Sequence, residues 1–210
     1  MTIWTPLRKL YIKTTDLTGG YQDNISKLKT FYRWWSKVYD ISVRIDPGYD
    51  SGIRKMIAQT VQTGDKVLDI GCGTGLTALK AAKIAHTVTA VDVSSDMVVQ
   101  LKRKIAKQNI ANIHPVVGRF PDCIDEQRFD AIISAFAIVH FSKERRRDLY
   151  KDIFNRLKKD GRLGLFSARG EIAGAFETRE ELLENLNDAG FSHISVLDIS
   201  DIYRIISATV

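Results

Sequence analysis

Three glycines at alternate positions, Gly71, Gly73 and Gly75, follow a short apolar run and precede an amphipathic stretch, in Val67-Leu68-Asp69-Ile70-Gly71-Cys72-Gly73-Thr74-Gly75. Glycine lets a backbone turn tightly and lets a ligand approach with no Cβ in the way. The spacing differs from the dinucleotide fingerprint Gly-x-Gly-x-x-Gly, because Leu76 stands where the last small residue should be. A pyrophosphate is poorly served by such a turn. Asp92 closes the next apolar run, 21 residues after Gly71. A carboxylate there can accept both hydroxyls of a ribose. The loop and the acid together suit an adenosine-containing ligand that needs no phosphate.

These residues need elements to position them, and the hydrophobic pattern supplies them. Lys66–Ile70, Thr87–Val91, His114–Val117, Phe129–Phe136 and Arg162–Ser167 read as strands. Between them, Leu76–Ala85, a stretch capped by Ser95 and a stretch capped by Ser142 read as helices, the last ended by Gly161. Thr178 opens a further helix that Gly190 stops. Strands alternating with helices predict crossover units and a parallel sheet. The final runs, His193–Leu197 and Ile202–Thr209, are joined by a link too short for a crossover, so they should pair antiparallel. The fold class expected is α/β, doubly wound, with a helical arm before it.

The arm, residues 1–60, holds ten Lys and Arg against five Asp and Glu, whereas residues 61–210 hold 21 against 20. Most of the net charge of +6 therefore sits in the arm. Leu28, Phe31, Tyr32, Trp35, Val38 and Tyr39 share one helical stripe, opposite Lys29, Arg33 and Lys37. Such a helix can lie on an anionic membrane surface or cover a ligand pocket; packing of the aromatic face on the core is the plainer alternative. Asp50 or Ser51 can cap a second helix through Ile53, Met56, Ile57 and Val61.

Whole classes are excluded. The length of 210 residues and a 44% hydrophobic, 27% charged composition are those of a globular domain. No apolar run reaches the roughly 20 residues that span a bilayer. The N-terminus lacks the apolar core of a secretory signal, so a cytoplasmic location is expected. Cys72 and Cys123 are too few for a disulfide framework or a four-cysteine zinc site, and no metal is expected.

The sequence resembles the class I S-adenosylmethionine-dependent methyltransferases over about residues 60–210. Asp69 to Gly75 reads as their first motif, and Val91-Asp92-Val93-Ser94-Ser95-Asp96-Met97 as their ribose-binding strand end. Phe129-Asp130-Ala131-Ile132-Ile133-Ser134 looks like their fourth strand, and Leu157-Lys158-Lys159-Asp160-Gly161-Arg162-Leu163 like their Leu-Lys-Pro-Gly-Gly-x-Leu turn. The resemblance implies a Rossmann-like sheet of seven strands, mostly parallel, with an antiparallel last strand. It implies S-adenosyl-L-methionine as cofactor. The loop of Gly71, Cys72, Gly73 and Gly75 would lie against its methionine and ribose, with Asp69 orienting the loop or meeting the amino group. Asp92 would hold the ribose, and Val93 or Met97 the adenine face.

One position departs from the family. Where Gly-Asp-Ala often follows the third strand, and the acid accepts from the adenine amino group, this chain has Gly118-Arg119-Phe120. An arginine cannot accept a hydrogen bond. Backbone groups or Asp122 could replace the acceptor, and Phe120 could stack on the adenine.

Ser134, the backbone at Ala135 and Phe136, and His140 fall near the expected methyl position, His140 as a base or orienting group. Tyr39, in Lys37-Val38-Tyr39-Asp40, resembles the tyrosine that precedes the domain in quinone- and phospholipid-methylating members. Ser134-Ala135-Phe136-Ala137 replaces the Asn-Pro-Pro-Tyr of amide and adenine N-methylation, and no Pro-Cys nucleophile is present. Arg145-Arg146-Arg147 reads as a solvated run or a phosphate contact. The acceptor expected is small or lipid-like, with RNA or protein methylation and a non-catalytic cofactor-binding module as alternatives; a nucleic-acid partner is disfavoured.

Overall fold

In the computed structural model, residues 6, 9–10, 12–13, 23–35, 46–125 and 128–210 are described. Seven strands form one sheet: β1 (Lys66–Ile70), β2 (Thr87–Asp92), β3 (Ile113–Val117), β4 (Phe129–Ala135), β5 (Leu157–Ala168), β6 (Ser192–Asp198) and β7 (Tyr203–Thr209). Their order is β3-β2-β1-β4-β5-β7-β6. Strands β1 to β5 run parallel, and β7 is antiparallel to both neighbours. The expected doubly wound sheet is therefore present. The chain winds outward from β1 to β3 and then returns to β4 on the other side. Ligands of such sheets bind at that reversal, beyond the carboxyl ends of the strands.

The helices are α1 (Ile25–Trp35), α2 (Pro47–Thr60), α3 (Ala78–Ala81), α4 (Ser95–Gln108), α5 (Lys143–Arg156) and α6 (Arg179–Asp188). Alternate strand residues point to opposite faces, which divides the core in two. Val67, Val88, Ala131 and Ile133 join Ile53, Met56 and Ile57 of α2, Ala78 and Ala81 of α3 and Leu101 of α4. Leu68, Val91, Ile132 and Leu163 join Leu149, Tyr150 and Ile153 of α5 and Leu182 and Leu186 of α6. Each large side chain so buried is worth about 1.5–3 kcal/mol. Among the described residues, no helix is long and apolar enough to cross a membrane.

Several boundaries move for physical reasons. Helix α2 starts at Pro47, and Asp46 caps it, accepting from the Gly48 and Tyr49 amides at 3.0 and 3.2 Å. Proline suits the first helical position because its missing N–H would have no partner there. Ser94, not Ser95, caps α4, through the Met97 amide. The stretch expected as a helix over Leu76–Ala85 keeps regular α-helix only in α3. Strand β5 begins at Leu157, which pairs with Phe129 before a register shift, so Gly161 lies inside the strand and does not cap a helix. Ser142 stands at the cap of α5 but makes no capping bond. Thr178 forms a full capping box with Glu181, as its spacing suggests.

In the arm, α1 buries Leu28, exposes Lys27, Lys29, Thr30 and Arg33, and packs against α4. Tyr39 and Val38 lie outside the described residues, as do the side chains of Phe31, Tyr32 and Trp35.

Candidate active site

Strand β1 delivers the glycine loop at the topological reversal. Gly71, Gly73 and Gly75 have φ of 71°, 53° and 92°, values that side-chain-bearing residues rarely adopt. A Cβ at Gly71 would sit 2.2 Å from that of Ala137, and one at Gly75 would sit 2.4 Å from Leu101 Cδ1. A Cβ at Gly73 would meet nothing within 4 Å. Two glycines thus let the loop close on its surroundings, and the middle one faces open space. The Gly71 and Cys72 amides donate to the Val91 carbonyl at 2.8 and 2.9 Å, and Lys104 Nζ of α4 donates to the Thr74 carbonyl at 2.9 Å.

Asp92 at the end of β2 is half-buried. Its Oδ2 accepts from the Gly73 amide and its Oδ1 from the Ser94 amide, both at 2.8 Å. Burial pushes its pKa up to about 6, against the pull of the Ser94 and Gly73 amides. A carboxylate has about four acceptor directions, so two occupied ones leave room for ribose hydroxyls.

Asp69 lies beneath the loop, fully buried, and neither of its oxygens has a hydrogen-bond partner among the described residues. Burial and the Asp92 charge push its pKa up to about 8, with the Ala78 amide opposing. Cys72 is buried between these acids, and burial and both charges hold its thiol up. It contributes backbone to the loop, not a nucleophile. An open glycine, a carboxylate with acceptor directions to spare and a buried acid that burial keeps largely protonated lie together at the reversal. That arrangement fits the ribose hydroxyls of an adenosine.

Residues 67–161 match the methyltransferase-domain family. That segment, a little under half of the chain, is similar to a methyltransferase domain. The ribosomal protein L11 methyltransferase of Acetivibrio thermocellus is 28% identical over 208 residues, a match covering 94% of this chain and 61% of that protein. The chain thus spans about three fifths of that relative's length. The fold is similar to that in a DhpI–SAH complex, with a TM-score of 0.75 and 19% identity over 88% of this chain and 95% of that one. It is also similar to magnesium protoporphyrin IX methyltransferase from Synechocystis with bound SAM, with a TM-score of 0.70 and 20% identity over 89% and 97% of the two chains.

Within the matched segment, the residues singled out from sequence fall into three groups. Gly71, Gly73, Gly75, Asp92 and the half-buried Val93 surround the cleft, with Asp69 directly below. Met97 and Phe120 are 1% and 2% exposed, Phe120 within the α5-side core. Burial of the Phe120 ring and the Met97 thioether leaves each little surface in this structure. Ser134 is also buried, and its hydroxyl donates to the Ile70 carbonyl at 2.8 Å, tying β4 to β1.

Gly118 donates its amide to the Asp92 carbonyl at 2.9 Å. A Cβ there would come within 2.3 Å of that of Cys123. Arg119 pairs with Asp23 of the arm at 2.5 Å and stacks over the Phe141 ring. His140 is half-buried at the end of a 3₁₀ turn, Ile138–His140. The arginine run is not a uniform solvated face. Arg146 is buried and donates to the Phe141 and Ala175 carbonyls at 3.0 and 2.6 Å, whereas Arg145 and Arg147 stay half exposed.

Sequence patterns alone do not reveal the aromatic group beside the loop. Phe136 follows β4 with φ of 59°, a strained value for a bulky residue. Its ring centroid lies 5.3 Å from Tyr49, 5.5 Å from Phe166, 5.8 Å from Phe176 and 5.9 Å from Tyr203. Those four are buried, and Phe136 alone of the five is half-buried. The Tyr203 hydroxyl donates to Asp46, so the cap of α2 also orients this ring. The sequence places the backbone of Phe136 near the expected methyl position but gives no sign of the four rings around its side chain.

Proposed function

We propose that the domain transfers the methyl group of S-adenosylmethionine to a small or lipid-like acceptor by in-line displacement. The aromatic wall behind Phe136 carries this reading. It adjoins Ala137, which touches the glycine loop, so it flanks the place where an acceptor would meet the methyl group. An apolar, ring-lined wall excludes water and suits a hydrophobic or planar molecule better than a charged one.

The bound cofactor supplies a methyl group already activated by its sulfonium charge. The residues of this chain then have to align and desolvate, which is where most of the acceleration in such a displacement arises. Gly73 and Asp92 hold the donor side, and Phe136 faces the acceptor side. His140 and Tyr39 are proposed to receive or orient a proton where the acceptor carries one. Exposed Lys27, Lys29 and Arg33 on α1 suit contact with anionic headgroups while a lipid-like acceptor is delivered.

A second reading, methylation of a protein, is favoured by the likeness to ribosomal protein L11 methyltransferases. Transfer of tritiated methyl groups separates the two. The chain is offered quinones, porphyrins, phospholipid vesicles and amines in one set, and ribosomal proteins in the other. Label in extracted small molecules supports the first reading. Label confined to a protein band supports the second and overturns the first.

A further inference from the structure

We propose that Asp23 and Arg119 form a latch that fastens the N-terminal arm across the cofactor cleft, so that both act as positioning residues for S-adenosylmethionine. This rests on the cofactor assignment above.

Four contacts converge on Asp23. Its amide donates to the His140 carbonyl at 3.0 Å, and its Oδ2 accepts from the Ser142 amide at 3.1 Å. Its Oδ1 accepts from Arg119 at 2.5 Å and lies 3.5 Å from Arg145. Asp23 holds φ of 57°, a left-handed conformation that aspartate tolerates better than most residues. Burial works against its charge, but hydrogen bonds from Ser142 and Arg119 outweigh it and keep the carboxyl below its usual range.

Topology gives these contacts their meaning. Arg119 follows β3, and His140 and Ser142 follow β4. The carboxyl ends of β1 and β2, with the glycine loop and Asp92, lie between those two strands. Phe141, under the Arg119 guanidinium, packs against the α5-side core. Helix α1 begins two residues after Asp23 and packs against α4, which belongs to the opposite layer. A segment anchored on one layer and packed on the other passes over the carboxyl edge of the sheet. Arg119 thus occupies the place of an adenine-reading acid and holds the cover over the adenosine site instead. Release of the ligand requires the arm to move, and the latch opposes that movement.

The test is the dissociation rate of S-adenosylhomocysteine, followed by stopped flow for the intact chain, Asp23→Asn, Asp23→Ala, Arg119→Met and the double variant Asp23→Ala/Arg119→Met. A charge-assisted hydrogen bond of this kind corresponds to about tenfold or more, so Asp23→Ala and Arg119→Met should each release the ligand about tenfold faster. The double variant should be no faster than the single ones, because the two residues act as one unit. Asp23→Asn, which keeps one acceptor oxygen and loses the charge, should fall between. A merely structural pair would lower the unfolding midpoint and leave the release rate unchanged, and that result overturns the latch. So do multiplicative effects in the double variant. Failure of the unaltered chain to bind the ligand would overturn the cofactor assignment itself, a result distinct from binding with unaltered release.

Discussion

The two sides of the topological reversal are built differently. On the β1–β2 side, the cleft is made of backbone: glycines in left-handed conformations, amides fixed on Asp92, and a buried acid below. On the β4–β5–β7 side, it is made of side chains: five packed aromatic rings, with the strained Phe136 foremost. Backbone geometry serves a ligand that is always the same. Of the five rings, the half-buried Phe136 is the one whose exchange disturbs the core least, and on the proposed reading it bears on which acceptor is taken. On the proposed reading, the first side serves the cofactor and the second the acceptor.

The contrast can be broken most severely at Gly71. Gly71→Ala places a Cβ against Ala137 in a backbone region it disfavours, and should cost about 3 kcal/mol or more of stability together with cofactor binding. Chemical denaturation and calorimetric titration would show both losses. Asp92→Ala removes the acceptor for Gly73, Ser94 and the ribose, and should weaken S-adenosylhomocysteine about a hundredfold, since hydrogen bonds to a charged group are worth about 1.5–3 kcal/mol each. Calorimetry with that ligand checks the value.

pH sharpens the same side. Ribose hydroxyls are best accepted by ionised Asp92, whose folded pKa is about 6. Affinity should therefore fall by up to about tenfold per unit as pH drops below that value. The ligand-free protein should move the opposite way. Asp69 and Asp92 bind protons more tightly folded than unfolded, so their contribution to stability declines from about pH 4, where the unfolded chain ionises, to about pH 8. Melts from pH 4 to 8 report that sign. On the other side, Phe136→Ala should raise the acceptor KM several-fold, on the order of 5–10, with cofactor affinity held within about twofold. A matching loss of cofactor affinity would dissolve the division. The smallest effect is expected at Ser134→Ala, about 1 kcal/mol of stability with no change in cofactor binding, because its hydroxyl serves the sheet.

What could be read from sequence follows the same division. The glycine loop and Asp92 were legible because their geometry is local: a turn of this kind needs glycine at fixed intervals, and the acid ends the adjacent strand. The parallel sheet was legible from the alternation of strands and helices. Asp23 was not, since its partners Arg119 and Ser142 lie 96 and 119 residues away. Arg146 looked like one of three solvated arginines. Its burial depends on Ala175 and Glu177, contributed by a loop beyond β5. The aromatic wall draws on residues 49, 136, 166, 176 and 203, which share no period. Met97 and Phe120 match ligand-facing positions by pattern, and the depth at which the structure buries them is not legible from that pattern. Boundary errors had local causes, as at Asp46, where a proline one residue later already marks the start of α2.

The most direct test of the account is a thermal melt of the intact chain with S-adenosylhomocysteine, and with NAD as control. Ligand at about 100 times its dissociation constant adds about 2.7 kcal/mol. In a chain of 210 residues this raises the midpoint by roughly 5–10 °C. The account predicts that rise with S-adenosylhomocysteine and none with NAD. No rise with S-adenosylhomocysteine, or an equal rise with NAD, would contradict it.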